Sequence, residues 1–212
     1  MPTRFLLWDH DGVLVDTERW YFEATRRAIA RVDIALTQVR YLELVATGRS
    51  CWDLARARGI SEADIDAGRA YRDALYQDFL RSEAIEIEGV ADVLAKLASR
   101  HRMAIVTNAR RTDFDLIHER RDLLRFFEFV ITGEDFARSK PEADPYLAGL
   151  ARFGARPTQA LALEDSARGL RSACAAGVPC VAIRTPFTAS DDFTGAYRVV
   201  DSIRDVPSLL DA

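Results

Sequence analysis

The chain has 212 residues, 49% of them hydrophobic and 29% charged, with a formal net charge of −4 at pH 7. Such a composition supports a sizeable core in one or two domains and excludes disordered, collagen-like and disulfide-scaffold classes. The mild acidity argues against a nucleic-acid binder, and no apolar run approaches the roughly 20 residues that span a bilayer.

Residues 4–8 form a short apolar run ending in polar residues and Gly12, the pattern of a buried strand followed by a tight loop. Residues 17–32 follow helical spacing, with Phe22, Ile29 and Val32 on one face. Shorter helices are predicted over 38–46 and 51–58, around the break Thr47-Gly48-Arg49-Ser50. Ser61-Glu62-Ala63-Asp64 reads as a capping-box start, and Tyr71, Leu75 and Phe79 behind it recur every four residues as the apolar face of another helix. The segment 17–85 is thus helical throughout.

From Gly89 onward the texture alternates. A helix is predicted around Val90, Val93, Leu94 and Leu97, then strands at 103–106 and 129–131 with a helix over 112–121 between them. A helix over 143–153, a strand at 160–163, a helix over 166–176 and a strand at 180–183 follow, then an edge strand at 198–200 and a short helix. Strands alternating with helices imply a parallel sheet covered on both faces. The expected architecture is α/β: a doubly wound, Rossmann-like core (1–15 and 86–212), with a small all-helical domain (16–85) inserted after the first strand.

In an open parallel sheet, ligands bind beyond the carboxyl ends of the strands. After the first strand come Asp9-His10-Asp11-Gly12; after the second, Thr107-Asn108; after the third, Ser139-Lys140-Pro141; after the fourth, Glu164-Asp165-Ser166. Asp9 and Asp11, two apart in extended backbone, face the same side. Their mutual repulsion favours a shared proton or a bound cation. An all-oxygen acidic site suits Mg²⁺, which keeps water and substrate phosphate in its octahedral shell. Lys140 would balance negative charge, and it is informative because the only other lysine among 29 basic residues is Lys96. The Thr107 hydroxyl and nearby backbone N–H groups can donate to phosphate oxygens. The set matches metal-assisted phosphoryl transfer to an aspartate. Taken singly, the first three pieces are better read as turns or a connection and the fourth reads equally as a helix start; their order, each after a predicted strand, favours the chemical reading.

These motifs, together with Val13-Leu14-Val15-Asp16-Thr17, Ala167-Arg168-Gly169-Leu170 and Ala175-Ala176-Gly177-Val178-Pro179, resemble those of the haloacid dehalogenase superfamily. The helical insert resembles the small cap of its β-phosphoglucomutase and phosphoglycolate phosphatase branch. The resemblance implies that Asp9 is the nucleophile forming an aspartyl-phosphate, and that Asp11 protonates the leaving oxygen and then activates water. It implies Mg²⁺ held by Asp9, the Asp11 backbone carbonyl and Asp165, with Glu164 in or next to the shell. Thr107 and Asn108 would hold phosphoryl oxygens, and Lys140 would stabilise both nucleophile and transferring group. Trp8 and His10 depart from the family pattern, which more often has phenylalanine and an apolar residue there. His10 reads as a tolerated bulky side chain.

Asp11 argues against carbon–halogen cleavage, which needs no such acid. Sugar phosphomutases of this branch carry a histidine four residues after the position matching Thr17; here that residue is Tyr21, and none of His10, His101 and His118 lies in the insert. The expected function is a Mg²⁺-dependent phosphatase for a sugar phosphate or a phosphoglycolate-like acid. A sugar phosphomutase is the alternative, and a non-catalytic binding module on the same fold is a third reading. Signalling receiver domains also form an aspartyl-phosphate but lack both the insert and the Asp-x-Asp pair. Arg49, in the Gly48-Arg49-Ser50 turn, is the candidate contact for a substrate carboxylate, hydroxyl or second phosphate. Residues 17–85 hold 11 basic and 11 acidic residues, so their charge gives no hint of substrate. The expected partner is a small phosphorylated metabolite, with neither nucleic acid nor membrane, and monomer and dimer both stay open. Met1–His10, interrupted by Arg4 and Asp9, offers no signal-peptide core. Cys51, Cys174 and Cys180 read as free thiols in a reducing cytoplasm.

Overall fold

Residues 3–211 are described by a computed structural model. Six strands form one sheet: β1 (Phe5–Trp8), β2 (Arg102–Val106), β3 (Phe129–Ile131), β4 (Ala160–Glu164), β5 (Cys180–Ile183) and β6 (Arg198–Val200). Their order is β3-β2-β1-β4-β5-β6, and every neighbouring pair is parallel. The chain runs outward from β1 to β3 on one side, then returns to place β4 on the other. The topological switch point therefore lies between β1 and β4, where the crevice of a doubly wound sheet opens.

Period-two alternation divides the core between two layers. Phe5 and Leu7 point to one face, where α7 (Asp144–Phe153) and α8 (Ala167–Ala175) supply Tyr146, Leu150, Phe153 and Leu170. Leu6 and Trp8 point to the other, against α5 (Val90–Ala98) and Phe114 of α6 (Arg111–His118). All four β1 residues are buried, and each large side chain so buried contributes about 1.5–3 kcal/mol. Trp8 sits fully enclosed, as expected of a second large apolar ring at that position. A short helix α9 (Val206–Asp211) closes the chain.

The chain divides into two compact units, one made of Met1–Asp16 with Glu86–Ala212 and one of Thr17–Ile85. The second unit holds α1 (Glu18–Ala30), α2 (Gln38–Ala46), α3 (Trp52–Ala57) and α4 (Glu62–Ser82). Helices α1 and α4 pack through Trp20 on Phe79 and Tyr21 on Tyr76, with ring centroids 5.2 and 5.1 Å apart. Ser61 caps α4 as read, its Oγ accepting from Asp64 N–H at 3.2 Å. The predicted Tyr71–Leu75–Phe79 stripe is corrected. Buried residues of α4 are Ile65, Tyr76, Phe79 and Leu80, while Tyr71 is exposed beneath the Arg31 guanidinium. At 100° per residue the buried arc is centred near Ile65 and Tyr76 with Phe79 at its edge, so each four-residue step back from Phe79 moves about 40° further out toward solvent. Trp52 is buried against Gly68, where an added Cβ would lie 2.6 Å from the indole. Cys51, Cys174 and Cys180 are free thiols. Among the described residues, no helix is long and apolar enough to cross a membrane.

Candidate active site

The four predicted loops meet at the carboxyl edge of the sheet. Asp9 continues the ladder beyond β1, its N–H donating to Leu163 O at 2.8 Å, and so stands at the switch point beside the end of β4. The backbone then turns sharply. The His10 carbonyl accepts from the N–H groups of Val13, Leu14 and Val15, and Gly12 adopts φ +80°, a conformation that side chains rarely tolerate. The missing side chain matters too: a Cβ at Gly12 would lie 2.1 Å from Asp165 Oδ2. The turn after β1 thus rests directly on the acid that follows β4.

Lys140 ties the site together. Its Nζ donates to Asp9 Oδ1 at 2.6 Å and to the Val106 carbonyl at 2.8 Å, and pairs with Glu164 Oε1 at 2.7 Å. Three acceptors match the three N–H bonds of a buried ammonium. Burial opposes the Lys140 charge, but the Asp9 and Glu164 carboxylates outweigh it and hold the ammonium above its ordinary pKa. All three of its donors are therefore taken within the protein. Its backbone N–H donates to Asn108 Oδ1 at 3.1 Å, joining the loop after β3 to the loop after β2. That bond orients the Asn108 amide with its NH₂ group turned away from Lys140.

Glu164 is wholly buried at the end of β4. Tyr146 of α7 donates its hydroxyl to Glu164 Oε1 at 2.5 Å, and burial, then the Asp9 charge, push the Glu164 carboxyl above the ordinary range. Its other oxygen, Oε2, is buried with no hydrogen-bond partner. Asp9, Glu164 and Asp165 can each turn one carboxylate oxygen into a common space, all within 4.8 Å of one another. Three buried carboxylates against one ammonium leave excess negative charge, and an orphaned buried oxygen calls for a partner. An all-oxygen donor set with these properties fits a hard divalent cation such as Mg²⁺.

Gly169 guards this arrangement. In α8, whose first turn is capped by Ser166 Oγ accepting from Gly169 N–H at 3.1 Å, a Cβ on Gly169 would fall 1.8 Å from Glu164 Oε2. Alanine ordinarily favours a helix over glycine by about 1 kcal/mol. Here Gly169→Ala is expected to destabilise instead, by about 1–3 kcal/mol, because the Glu164 carboxylate beneath it is buried and tied through Oε1 to Lys140 and Tyr146. Urea unfolding measures the sign directly.

Asp11 is set apart from the three-acid group. Its side chain is 28% exposed, and its Oδ2 lies 3.5 Å from the Thr107 hydroxyl and 3.4 Å from His10 Nδ1. Thr107 also anchors its own loop, accepting from Ala109 N–H at 3.0 Å. Arg49 lies in the other unit, exposed in the turn between α2 and α3.

Two residues here carry no signal in the sequence. Tyr146 has the spacing of an ordinary core position. His118, at the end of α6, looks like a lone histidine, yet its Nε2 lies 2.9 Å from His10 Nε2. His10 is therefore a fully buried, hydrogen-bonded ring rather than a tolerated bulky side chain. Burial, then the neighbouring His10, hold His118 at about 3, below the ordinary 6.5 of imidazole. Above pH 6.5 it is neutral whether folded or not; below, the unfolded chain takes up a proton that the folded chain refuses. Stability is then expected to fall from pH 6.5 toward pH 3. His118→Phe should reduce the loss between pH 7.5 and pH 5 by about 1–2 kcal/mol, as read by urea unfolding at both values.

The comparisons with known proteins place the chain in a family. The family model for haloacid dehalogenase-like hydrolases matches residues 6–183. The chain is 33% identical to the plasmid CbbY protein of Cupriavidus necator over 218 residues, covering 94% of this chain and 85% of that protein. It is 26% identical to the fructose-1-phosphate phosphatase YqaB of Escherichia coli K12 over 183 residues, covering 84% and 95%. A mutant of CbbY from Rhodobacter sphaeroides, solved in complex with xylulose-(1,5)bisphosphate, superposes with a TM-score of 0.80 at 25% identity, covering 96% of this chain and 95% of that one. The six-stranded parallel sheet with its switch-point acids, and a family match spanning most of the sequence, identify the chain as a member of the haloacid dehalogenase-like hydrolase family.

Proposed function

We propose that this hydrolase is a Mg²⁺-dependent phosphatase acting on a sugar phosphate or a short phosphorylated acid through an aspartyl-phosphate at Asp9. The observation that carries this reading is the pairing of two acids of different standing at one strand end. Asp9 is buried and ion-paired to Lys140, and Asp11, two residues on, is partly open. Relatives named as phosphatases of phosphorylated sugars support the substrate class.

Asp9, Asp165 and the Asp11 backbone carbonyl would hold Mg²⁺, with Glu164 in or beside its shell. When bound, the cation would offset phosphate charge and orient the phosphoryl group for in-line attack. An Asp9 carboxylate oxygen forms the bond to phosphorus as the ester P–O bond breaks, and Asp11 gives its proton to the departing oxygen. Asp11 then takes a proton from water, which attacks phosphorus and breaks the acyl-phosphate bond, releasing inorganic phosphate and restoring Asp9. Thr107 and the Asn108 NH₂ group donate to phosphoryl oxygens, while Lys140 keeps Asp9 placed and adds positive charge. Residues 16–85 act as the cap that selects substrate, with Arg49 supplying a guanidinium for a distal carboxylate, hydroxyl or second phosphate. Three free thiols suit a reducing cytoplasm.

The test is phosphate release from a panel of sugar phosphates, phosphoglycolate and nucleotides, with Mg²⁺ and with chelator. Metal-dependent release favouring a small sugar phosphate or phosphoglycolate is expected. No release from any of them, in folded protein, would overturn the phosphatase reading and turn attention to a mutase started with a bisphosphate primer.

A further inference from the structure

The buried histidine pair is a polar element beside the site that the reaction above does not use. His10 and His118 stack around Phe114, with ring centroids 4.8 Å (His10–Phe114), 4.6 Å (Phe114–His118) and 5.1 Å (His10–His118) apart. Their Nε2 atoms face each other at 2.9 Å, so one hydrogen lies between them. His118 Nδ1 is buried without a hydrogen-bond partner. His10 Nδ1 faces Asp11 Oδ2 at 3.4 Å.

Across the 2.9 Å contact one ring donates and the other accepts. If His10 donates to His118, then His118 carries its own proton on Nδ1, a buried N–H with no acceptor. If His118 donates, its bare Nδ1 is the unpartnered atom, and His10 is left with its proton on Nδ1, aimed at Asp11. An orphaned buried N–H is among the rarest features of folded proteins, which favours the second arrangement. Burial of His118 keeps it neutral, as that arrangement requires.

We propose that His118, acting through His10, is a positioning residue for Asp11: it fixes the His10 tautomer whose Nδ1–H anchors Asp11 Oδ2. The Thr107 hydroxyl faces the same oxygen at 3.5 Å. With Oδ2 accepting from His10 Nδ1–H, the acidic proton of Asp11 is carried on Oδ1. The pair thereby determines which oxygen of the general acid delivers its proton. This inference rests on the phosphatase reading for its consequence in catalysis, but the tautomers themselves do not depend on it.

Two measurements test it. Long-range ¹⁵N–¹H spectra of the resting wild-type protein, which has only three histidines, read each tautomer. The expected result is His10 protonated on Nδ1 and His118 on Nε2; His10 protonated on Nε2 overturns the proposal whatever the enzyme's activity. The second is a comparison of leaving groups. His118→Phe keeps the ring stack and removes the donor. For a sugar phosphate, whose alkoxide needs a proton to leave, kcat/KM is expected to fall about tenfold or more. For p-nitrophenyl phosphate, whose phenolate leaves unaided, it should change less than about threefold. His118→Gln, which restores an N–H donor at that reach, should recover most of the loss. Equal losses on both substrates, or none on either, would contradict the positioning role, whereas a wild-type protein that releases no phosphate would contradict the phosphatase reading instead.

Discussion

Asp9→Asn is expected to abolish turnover, by a factor on the order of 10⁴ or more, while leaving the protein folded. The amide is nearly isosteric with the carboxylate but is not a nucleophile toward phosphorus. Folding tolerates the change because Lys140 retains Glu164 and the Val106 carbonyl as partners. Loss of the Asp9 charge also relieves its repulsion of Glu164, one of the causes that raise the Glu164 pKa. Steady-state phosphate release and urea unfolding of the same preparation separate the two effects: activity should vanish and unfolding should move by no more than about 1 kcal/mol.

Lys140 is expected to be costly to replace in either direction. Lys140→Met removes the only cation among the described contacts of Asp9 and Glu164 and leaves two carboxylates buried without compensation. Breaking a buried ion pair by deleting one partner costs about 3–5 kcal/mol. The variant should therefore unfold at markedly lower urea, besides losing activity. Lys140→Arg keeps the charge but not the geometry. Three acceptors converge on one nitrogen at 2.6–2.8 Å, an arrangement for a compact ammonium. A planar guanidinium with five donors has neither the room nor the matching acceptors, so a loss of about a hundredfold in kcat is expected from displacement of Asp9. Full activity in Lys140→Arg would show that Lys140 supplies charge alone.

Much of this site is legible in the chain because its parts follow a rule of position. Asp9, Thr107, Lys140 and Glu164 each come after an apolar run that must be a strand, and a parallel sheet gathers such points at one edge. Spacing along the chain is enough to find them, even though Lys140 is 131 residues from its partner Asp9. The rest depends on contacts that no spacing encodes. Tyr146 and His118 are single polar residues on amphipathic helices, and only the packing of α7 and α6 on opposite faces of the sheet shows that one donates to Glu164 and the other meets His10. His10 was visible as a departure from the family pattern, but its partner lies 108 residues away. Gly169 is similar: within a helix it resembles a mild defect, and its reason is the carboxylate pressed against it. The four-spaced stripe of α4 failed because Phe79 lies at the edge of the buried arc, and stepping back from it to Tyr71 leads out to the surface.

The covalent step at Asp9 is the centre of the account, and mass spectrometry of Asp11→Asn mixed with p-nitrophenyl phosphate and Mg²⁺ tests it most directly. With that leaving group the first transfer needs no acid, while hydrolysis of the intermediate lacks its base. The account predicts a burst of about one nitrophenolate per enzyme and a single phosphoryl adduct, alkali-labile, on the peptide containing Asp9. Nitrophenolate release with no adduct, or an adduct on any other residue, would contradict it.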